Sequence, residues 1–266
     1  IANEALTAAN EKLKTNFLTS IKVFSNLIEM RKGHLAGHSR RVADLARKIA
    51  LKIGLDEHDT QEIFVAGLLH NIGKIGFSDA LLAMPIHLMN EENLVLYRQH
   101  PVHGEHSLMP LEELRGAAAI VRSQLERYDG KGFPDSLSNA QIPIGARILA
   151  LVSDYDHLQA GTFFPRRYSL EEEKAYIQSG RNRLYDAQVV DAFLSAISDV
   201  VEEVSQDAVI AAANLQPDMI IARDLITPDG LLLLAAGHVL EERLIEQIKK
   251  FEAARDAKFV IYVRMN

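Results

Sequence analysis

Hydrophobic positions recur at steps of three or four residues along most of the chain, a period that is typical of amphipathic helices. The first such run covers residues 3 to 31. Its apolar stripe consists of Leu13, Phe17, Ile21, Phe24 and Ile28. A single helix cannot bury this stripe, so it either packs on the residues that follow or pairs with a second chain as a short coiled coil. Because the chain begins inside this helix, we expect it to be part of a longer protein.

The helical period continues from residue 38 to residue 206, which predicts an all-helical domain. Two short helices are predicted first, with Gly54 ending one and Gly73 ending the other. Further helices are predicted over residues 91–99, 111–127, 145–160, 170–180 and 187–205.

Near residue 215 the pattern changes to one that favours strands. Two strands, Met219 to Leu225 and Leu231 to Leu234, are predicted on either side of a Pro-Asp-Gly turn. A helix over residues 241–254 and a strand over 259–263 would complete a small unit. The predicted fold class is mainly α: a connector helix, a helical bundle domain and a small α+β unit. Their predicted bounds are 1–33, 34–206 and 207–266, with the second boundary inside 207–214.

Composition excludes several classes of protein. With 48% hydrophobic and 24% charged residues, the chain has an ordinary globular composition, and the absence of cysteine excludes disulfides and thiolate metal sites. A net charge of -7 argues against a nucleic-acid-binding face, although a small anion could still bind in a local basic pocket. No apolar run approaches the roughly 20 residues that span a bilayer, and no signal peptide is recognisable. We expect a cytoplasmic protein without a membrane partner.

Histidines are concentrated in one part of the chain, since eight of the ten lie between residues 34 and 106. Neutral imidazole is a common metal ligand. His34 and His38 are four residues apart and would share one side of a helix. A three-residue step relates His100, His103 and His106. Any one of these residues is more simply explained as an ordinary surface or core histidine, so only their concentration favours a metal site.

Five segments carry a more specific signal, in order along the chain. They are GHSRRVADLARKIA (37–50), LLHNIGKIG (68–76), QHPVHGE (99–105), ERYDGKGFPD (126–135) and IPIGARILALVSDYDHL (142–158). Together they make residues 34 to 195 resemble the HD-GYP family. In that bacterial signalling family, an HD-type helical domain holds two or three metal ions and hydrolyses cyclic di-GMP.

The resemblance implies metal ligands at His38, His70 and His100, and adds His34 and Asn71 as further candidates. His70 is the histidine of the family's His-Asp pair, and Asn71 stands in place of the aspartate. An amide oxygen can coordinate a cation but brings no negative charge. We therefore expect at most one divalent ion of Fe, Mn or Zn, and a site without metal is the alternative.

Other family ligands are also replaced. Gln124 and Leu125 stand where the family has two histidines, and Ser153 stands where it has an aspartate. Asp154 follows directly, but it would point about 100° away around a helix. Of the seven matched ligand positions, four, counting Asn71, lack the family's residue. A centre with two metal ions is therefore hard to build from this sequence.

The resemblance also implies residues that contact a ligand. Lys74 corresponds to a family lysine near the phosphate, and either Arg166 or Arg167 could replace a missing arginine that grips the dinucleotide. The loop that corresponds to the GYP motif contributes Asp129, Gly130, Gly132, Phe133 and Pro134, with phenylalanine in place of tyrosine. In the family this loop is implicated in docking diguanylate cyclase domains, whereas its composition alone would indicate only a rigid turn.

The favoured hypothesis is a divergent HD-GYP-like output domain of a two-component response regulator with little or no phosphodiesterase activity. It would follow a receiver domain, form a homodimer, and act by binding cyclic di-GMP or a diguanylate cyclase domain. The alternative is an active phosphodiesterase in which Lys74 and His70 are catalytic. Its rearranged metal site would use His34, His38, His70, His100 and either His103 or Asp154. A third hypothesis is a structural adaptor with no small-molecule ligand.

Overall fold

The computed structural model describes residues 2–29, 37–161, 164, 168–204, 208–223, 225–227, 232–234, 236–255 and 258–264. The described residues form two compact units. The first contains the N-terminal helix and residues 38–196, and the second contains Gly37 and the residues from 197 onward. The domain bounds predicted from the sequence stay a prediction.

The first unit is built from helices, which confirms the predicted fold class. These are α1 (Ala2–Glu29), α2 (His38–Ile53), α3 (Glu57–Leu69), α4 (Asp79–Ala83), α5 (Glu91–Arg98), α6 (His100–Leu108), α7 (Arg115–Arg122), α8 (Ile144–Ala160), α9 (Leu170–Ser179) and α10 (Ala187–Val204), of which α10 continues into the second unit. Single 3-10 turns lie at Ile72–Lys74, Ile86–Leu88, Glu112–Leu114 and Asn139–Gln141. In the described part of the chain, no helix is both long enough and apolar enough to cross a membrane.

The N-terminal helix α1 packs on the helical unit along one side. Ile21 and Ser25 are buried there, and the Lys22 Nζ lies 5.9 Å from the centre of the Phe64 ring on α3. Packing on the following residues, one of the two alternatives for this helix, therefore occurs. A second set of apolar side chains on α1 is exposed: Leu6, Leu13, Phe17, Phe24 and Leu27.

Gly54 ends α2 as predicted, with a φ of 85° that favours glycine. The predicted stop at Gly73 is wrong, because α3 ends at Leu69 and Gly73 lies inside the following 3-10 turn. A Cβ on Gly73 would lie 1.9 Å from the carbonyl oxygen of His100. Glycine is required there because the turn passes directly against the first turn of α6.

Helix α7 is shorter than the predicted helix over 111–127, since it ends at Arg122. Beyond it, the buried Glu126 carboxylate accepts hydrogen bonds from the backbone N–H groups of Asp135 (2.7 Å) and Leu137 (3.1 Å). These bonds fold residues 126–137 into a loop around one side chain, and the backbone groups that they use are not available to a helix.

The second unit is the predicted small α+β unit. Its elements are the C-terminal end of α10, β1 (Ala208–Ile210), β2 (Ile220–Ile221), β3 (Leu225–Ile226), β4 (Leu232–Leu234), α11 (Glu242–Arg255) and β5 (Ile261–Arg264). An antiparallel sheet has the order β1-β5-β2, and β3 pairs with β4 separately. The predicted strand over 219–225 is thus wrong as one element, because β2 pairs with β5 and β3 with β4. The Pro-Asp-Gly turn lies outside the described residues.

Candidate functional site

Four buried histidines of the first unit come together from four helices. His38 begins α2, His70 follows α3, His100 begins α6, and His157 lies in the last turns of α8. The ring centre of His38 lies 5.0 Å from that of His70 and 4.8 Å from that of His157. Three of the four are predicted ligands, whereas His157 was not singled out from the sequence.

Three of these rings are held in one tautomer by backbone carbonyls. The Nδ1 atom lies 2.7 Å from a carbonyl oxygen in each of the pairs His70 to Gly67, His100 to Tyr97, and His157 to Ser153. A carbonyl oxygen can only accept, so each Nδ1 carries the proton and each Nε2 carries the lone pair. Metal-binding histidines are commonly oriented in this way, with the second nitrogen turned to the cation.

His38 has the same tautomer through a carboxylate. Its Nδ1 donates to Asp156 Oδ2 over 2.6 Å, and the Arg41 guanidinium donates to both carboxylate oxygens over 2.7 and 3.0 Å. Burial alone would raise the pKa of Asp156, but the hydrogen bonds and charges of His38 and Arg41 outweigh it and hold this pKa below its usual range. The ionised Asp156 therefore fixes His38 with its Nε2 turned toward His70.

The Nε2 atoms of His38 and His70 face each other at 3.1 Å. Two lone pairs at this distance repel unless a proton or a cation lies between them. For comparison, two imidazoles on one tetrahedral zinc ion, at about 2.0–2.1 Å each, have their nitrogens about 3.3 Å apart. The pair is therefore spaced as two ligands of one metal ion would be.

Asn71 adds an amide next to this pair. Its Nδ2 lies 2.9 Å from His70 Nε2, and its Oδ1 is a buried atom with no hydrogen-bond partner within the described ranges. Turning the amide over would place this oxygen beside His70 Nε2, where it could ligate the same cation. The residues present thus fit one divalent ion held by His38, His70 and Asn71.

A cavity of about 260 Å³ opens beside the histidines, within the first unit. Its wall includes His70, Lys74, Tyr97, Arg98, His100, Gln124, Leu125, Arg127, Phe133, Ser153, Asp154, His157, Tyr176 and Tyr185. Lys74 Nζ lies 3.3 Å from the Tyr97 hydroxyl, and the Arg98 guanidinium lies 4.1 Å from the centre of the Phe133 ring. Cationic side chains next to aromatic ones suit a ligand that carries both phosphate and flat rings.

Asp154 lies on the wall of the same cavity as Ser153, although the two side chains leave α8 in different directions. The cavity extends past the histidines to Tyr176 and Tyr185, and so it meets a second side of α8. Burial raises the pKa of Asp154 to about 6, although the Tyr185 hydroxyl donates to its Oδ2 over 2.6 Å and favours the ionised form. The cavity therefore contains a carboxyl group that titrates near neutral pH.

The imidazoles of His70 and His157 stay neutral. Burial, followed by the charges of His38 and Lys74, lowers the pKa of His157 to about 3 and that of His70 well below its usual value. Protons therefore do not compete with a cation for these two Nε2 atoms at physiological pH.

Other predicted site residues are only partly brought together. His103 and His106 are exposed on α6 and lie away from the cavity wall, since three-residue steps drift around a helix. Of the loop residues, Phe133 is on the wall, whereas the cavity wall does not include Asp129, Gly130, Gly132 and Pro134. Gln124 donates from Nε2 to the carbonyl of His70 over 3.0 Å and so supports that turn. The predicted residues His34, Arg166 and Arg167 lie outside the described residues.

Several residues of the site were not predicted from the sequence. His157 had a readable signal, because it follows Ser153 by four residues and therefore shares its side of the helix. Arg98, Tyr97 and Tyr185 had none, since nothing in their local sequence separates them from ordinary helix or loop residues.

One compact group of ligand atoms lies elsewhere, at the start of α3. Asp56, His58 and Asp59 have ligand atoms within 4.8 Å of one another, but all three residues are exposed. Asp56 is the N-cap of α3 and accepts from the Asp59 N–H over 2.8 Å. Helix capping explains the group without a metal ion.

The chain is similar to proteins of a known family. A family model described as "HD domain" matches residues 22–189, a range that contains all four buried histidines. The chain belongs to the HD domain family. The resemblance to HD-GYP proteins is confirmed by relatives that are named cyclic di-GMP phosphodiesterases.

Two relatives show the extent of the similarity. The cyclic di-GMP phosphodiesterase response regulator RpfG of Xanthomonas campestris is 31% identical over 193 residues, covering 72% of this chain and 51% of the relative. A cyclic di-GMP phosphodiesterase of Thermotoga maritima is 31% identical over 186 residues, covering 68% and 50%. The chain therefore spans about half the length of the curated relatives that it matches.

Solved structures support the fold. A cyclic GMP-AMP-specific phosphodiesterase of Vibrio cholerae matches with a TM-score of 0.54 at 17% identity, over 89% of this chain and 59% of that one. An HDG"Y"P protein of Bdellovibrio bacteriovorus matches with a TM-score of 0.52 at 20% identity, over 63% and 52%. At these identities the likeness shows a shared HD fold.

Proposed function

We propose that this HD domain is a signalling output domain that binds cyclic di-GMP, or a closely related cyclic dinucleotide, with little or no hydrolysis. The relatives' names supply the class of ligand, and the cavity supplies matching chemistry in Lys74, Arg98 and Arg127. One observation carries the proposal. The cavity keeps imidazoles and cationic side chains, while Asn71 and Ser153 occupy the positions where the HD-GYP family has metal-binding carboxylates.

The size of the cavity limits how a dinucleotide could bind. At about 260 Å³ it is smaller than the ~300–1,000 Å³ of typical ligand pockets. It therefore suits one phosphate with part of the attached nucleoside, and the rest would lie across its mouth. The Arg98 guanidinium lies over the Phe133 ring, and both residues line the cavity. Either of these two planar groups could stack on a nucleotide base.

Weak hydrolysis follows from the charges of the available ligands. A bound divalent ion would draw charge from a phosphate and lower the pKa of a bound water. The side chains that would hold an ion here, His38, His70 and Asn71, are all uncharged, and a second cation would need carboxylates to offset its charge. The two carboxyl groups on the cavity wall already have partners, because Glu126 accepts from the backbone N–H groups of Asp135 and Leu137 and Asp154 accepts from the Tyr185 hydroxyl.

Calorimetric titration with cyclic di-GMP, run together with chromatography of the nucleotide after incubation with Mn²⁺ or Fe²⁺, tests this proposal. We expect binding without conversion to linear dinucleotide or GMP. Arg98→Ala should weaken binding about fivefold or more, because it removes a cation and a stacking surface. Arg115→Ala, an exposed arginine on α7, is the matched control and should bind like the wild type. Absence of binding would contradict the proposal.

An active phosphodiesterase is the second candidate, favoured by the four buried imidazoles whose Nε2 atoms carry lone pairs. It predicts metal-dependent product formation that His70→Ala abolishes. Product from the wild type under these conditions would replace the first proposal by this one.

We also propose that α1 pairs with the α1 helix of a second copy. Its exposed apolar residues continue a heptad, with Phe17 and Phe24 at a positions and with Leu6, Leu13 and Leu27 at d positions. A preceding receiver domain, and a diguanylate cyclase domain docked at the Phe133 loop, remain part of the proposed signalling role.

A further inference from the structure

Helix α8 places Ser153 and His157 one turn apart, on the side that meets the cavity. Ser153 occupies the position of a family aspartate ligand, and its short side chain cannot reach a cation that an aspartate there would hold. His157 is longer and extends from the next turn of the same helix. The helix therefore still presents a metal-ligating group to this part of the cavity.

Two contacts and its place on the cavity wall orient His157 for this purpose. Its Nδ1 is tied to the carbonyl of Ser153, which turns Nε2 away from the helix axis. Its ring packs edge-on against His38, with ring centres 4.8 Å apart. It shares the cavity wall with His70, whose Nε2 already faces that of His38.

We propose that His157 is a metal ligand that replaces the carboxylate missing at position 153, so that one divalent ion is held by His38, His70, His157 and Asn71. Three neutral imidazoles and one amide oxygen form a site of charge zero before the cation binds. Such a site holds one transition-metal ion such as Zn²⁺ or Co²⁺ and does not favour two. This inference deepens the proposed function, because it concerns the metal content of the same cavity.

The arrangement requires a movement of side chains. The Nε2 atoms of the three histidines do not all lie within 4.8 Å of one another, since the compact ligand group among the described residues is the one at Asp56, His58 and Asp59. Binding would therefore draw His157 Nε2 toward the His38–His70 pair. The Nδ1 bond to Ser153 can persist while the ring turns about it.

Titration of the metal-free full chain with Co²⁺, followed by its visible d–d absorption, tests the proposal without nucleotide or turnover. We expect one Co²⁺ per chain, with the intense bands of a four-coordinate ion. His157→Ala should weaken Co²⁺ binding by at least about tenfold and reduce those bands. The double variant Ser153→Asp/His157→Ala should recover affinity, because it returns a carboxylate to the same side of α8.

Two matched variants test whether loss of any exposed histidine weakens Co²⁺ binding. His58→Ala removes the exposed histidine of the Asp56 group, and His87→Ala removes an exposed histidine elsewhere. Both should bind Co²⁺ as the wild type does. Wild-type affinity and spectrum in His157→Ala would overturn the proposal, and so would a wild type that binds no Co²⁺ or loses it in His58→Ala.

A measurement on the wild type covers the case in which His157→Ala does not fold. In protein labelled with ¹⁵N at histidine, Zn²⁺ should shift the Nε2 resonance of His157 together with those of His38 and His70. A His157 resonance that stays in place while the other two shift would also overturn the proposal. Nucleotide binding is measured separately in metal-free protein, so failure of the proposed function and failure of this inference give different results.

Discussion

At the scale of single residues, α8 carries two aspartates whose environments shift their pKa values in opposite directions. Asp156 is ionised because His38 and Arg41 bind it, and its pKa lies below the usual range. Asp154 is partly buried beside the cavity, where the Tyr185 hydroxyl donates to it, and its pKa is about 6. Two residues of one type, two positions apart, therefore make opposite contributions to the pH dependence of stability.

Asp156→Asn should lower the free energy of unfolding by about 2–3 kcal/mol at pH 7, because it leaves His38 and the partly exposed Arg41 without their carboxylate. The folded protein holds the pKa of Asp156 below its unfolded value, so this stabilisation is present above about pH 4 and is lost as pH falls further. Urea denaturation of both proteins between pH 3 and pH 7 measures it. A constant difference across this range would contradict the assigned role.

Asp154→Asn should give the opposite slope. In the wild type, the folded state takes up a proton near pH 6 and the unfolded state near pH 4, so stability should rise as pH falls from 8 to 5. We expect Asp154→Asn to be more stable than the wild type at pH 8 by about 1–2 kcal/mol, and to lose that advantage at pH 5. The same denaturation series tests this, with Tyr185→Phe as a variant that should raise the pKa of Asp154 further.

At the scale of elements, the 3-10 turn after α3 positions the site. It follows His70 and Asn71 directly and packs against the start of α6, where His100 lies. Periodicity predicted the helices on either side but gave Gly73 the wrong role. A glycine that ends a helix and a glycine that lets two backbones touch look the same in a sequence.

Gly73→Ala should destabilise the protein by about 3 kcal/mol or more, because the new Cβ would clash with the backbone of His100 and Gly104. Gly76→Ala is the matched control three residues later, where a Cβ would meet no atom within 4 Å. We expect its stability to stay within about 0.5–1 kcal/mol of the wild type. Thermal unfolding compares the two, and equal melting temperatures would show that the turn does not pack as described.

At the scale of the whole molecule, α1 has two apolar sides, of which the described residues cover one and leave the other exposed. Leu13→Glu should shift the protein from dimer to monomer in sedimentation velocity, since it places a charge at the centre of the proposed coiled-coil seam. Thr19→Glu adds the same charge at an exposed position off the seam and should remain dimeric. A wild type that is monomeric at all concentrations would contradict the pairing.

The sequence by itself determined the helical class, the C-terminal α+β unit and three of the buried histidines, because periodicity and motif spacing are local properties. It named Asp154 only as one of two alternatives with His103, and it could not assign His157 or Arg98 to the site. Whether a side chain meets a cavity depends on how far the cavity extends around a helix, and only packing sets that. The sequence shows that a carboxylate is missing at Ser153, and only the tertiary structure shows an imidazole one turn later beside His38, since that contact joins residues far apart in the chain.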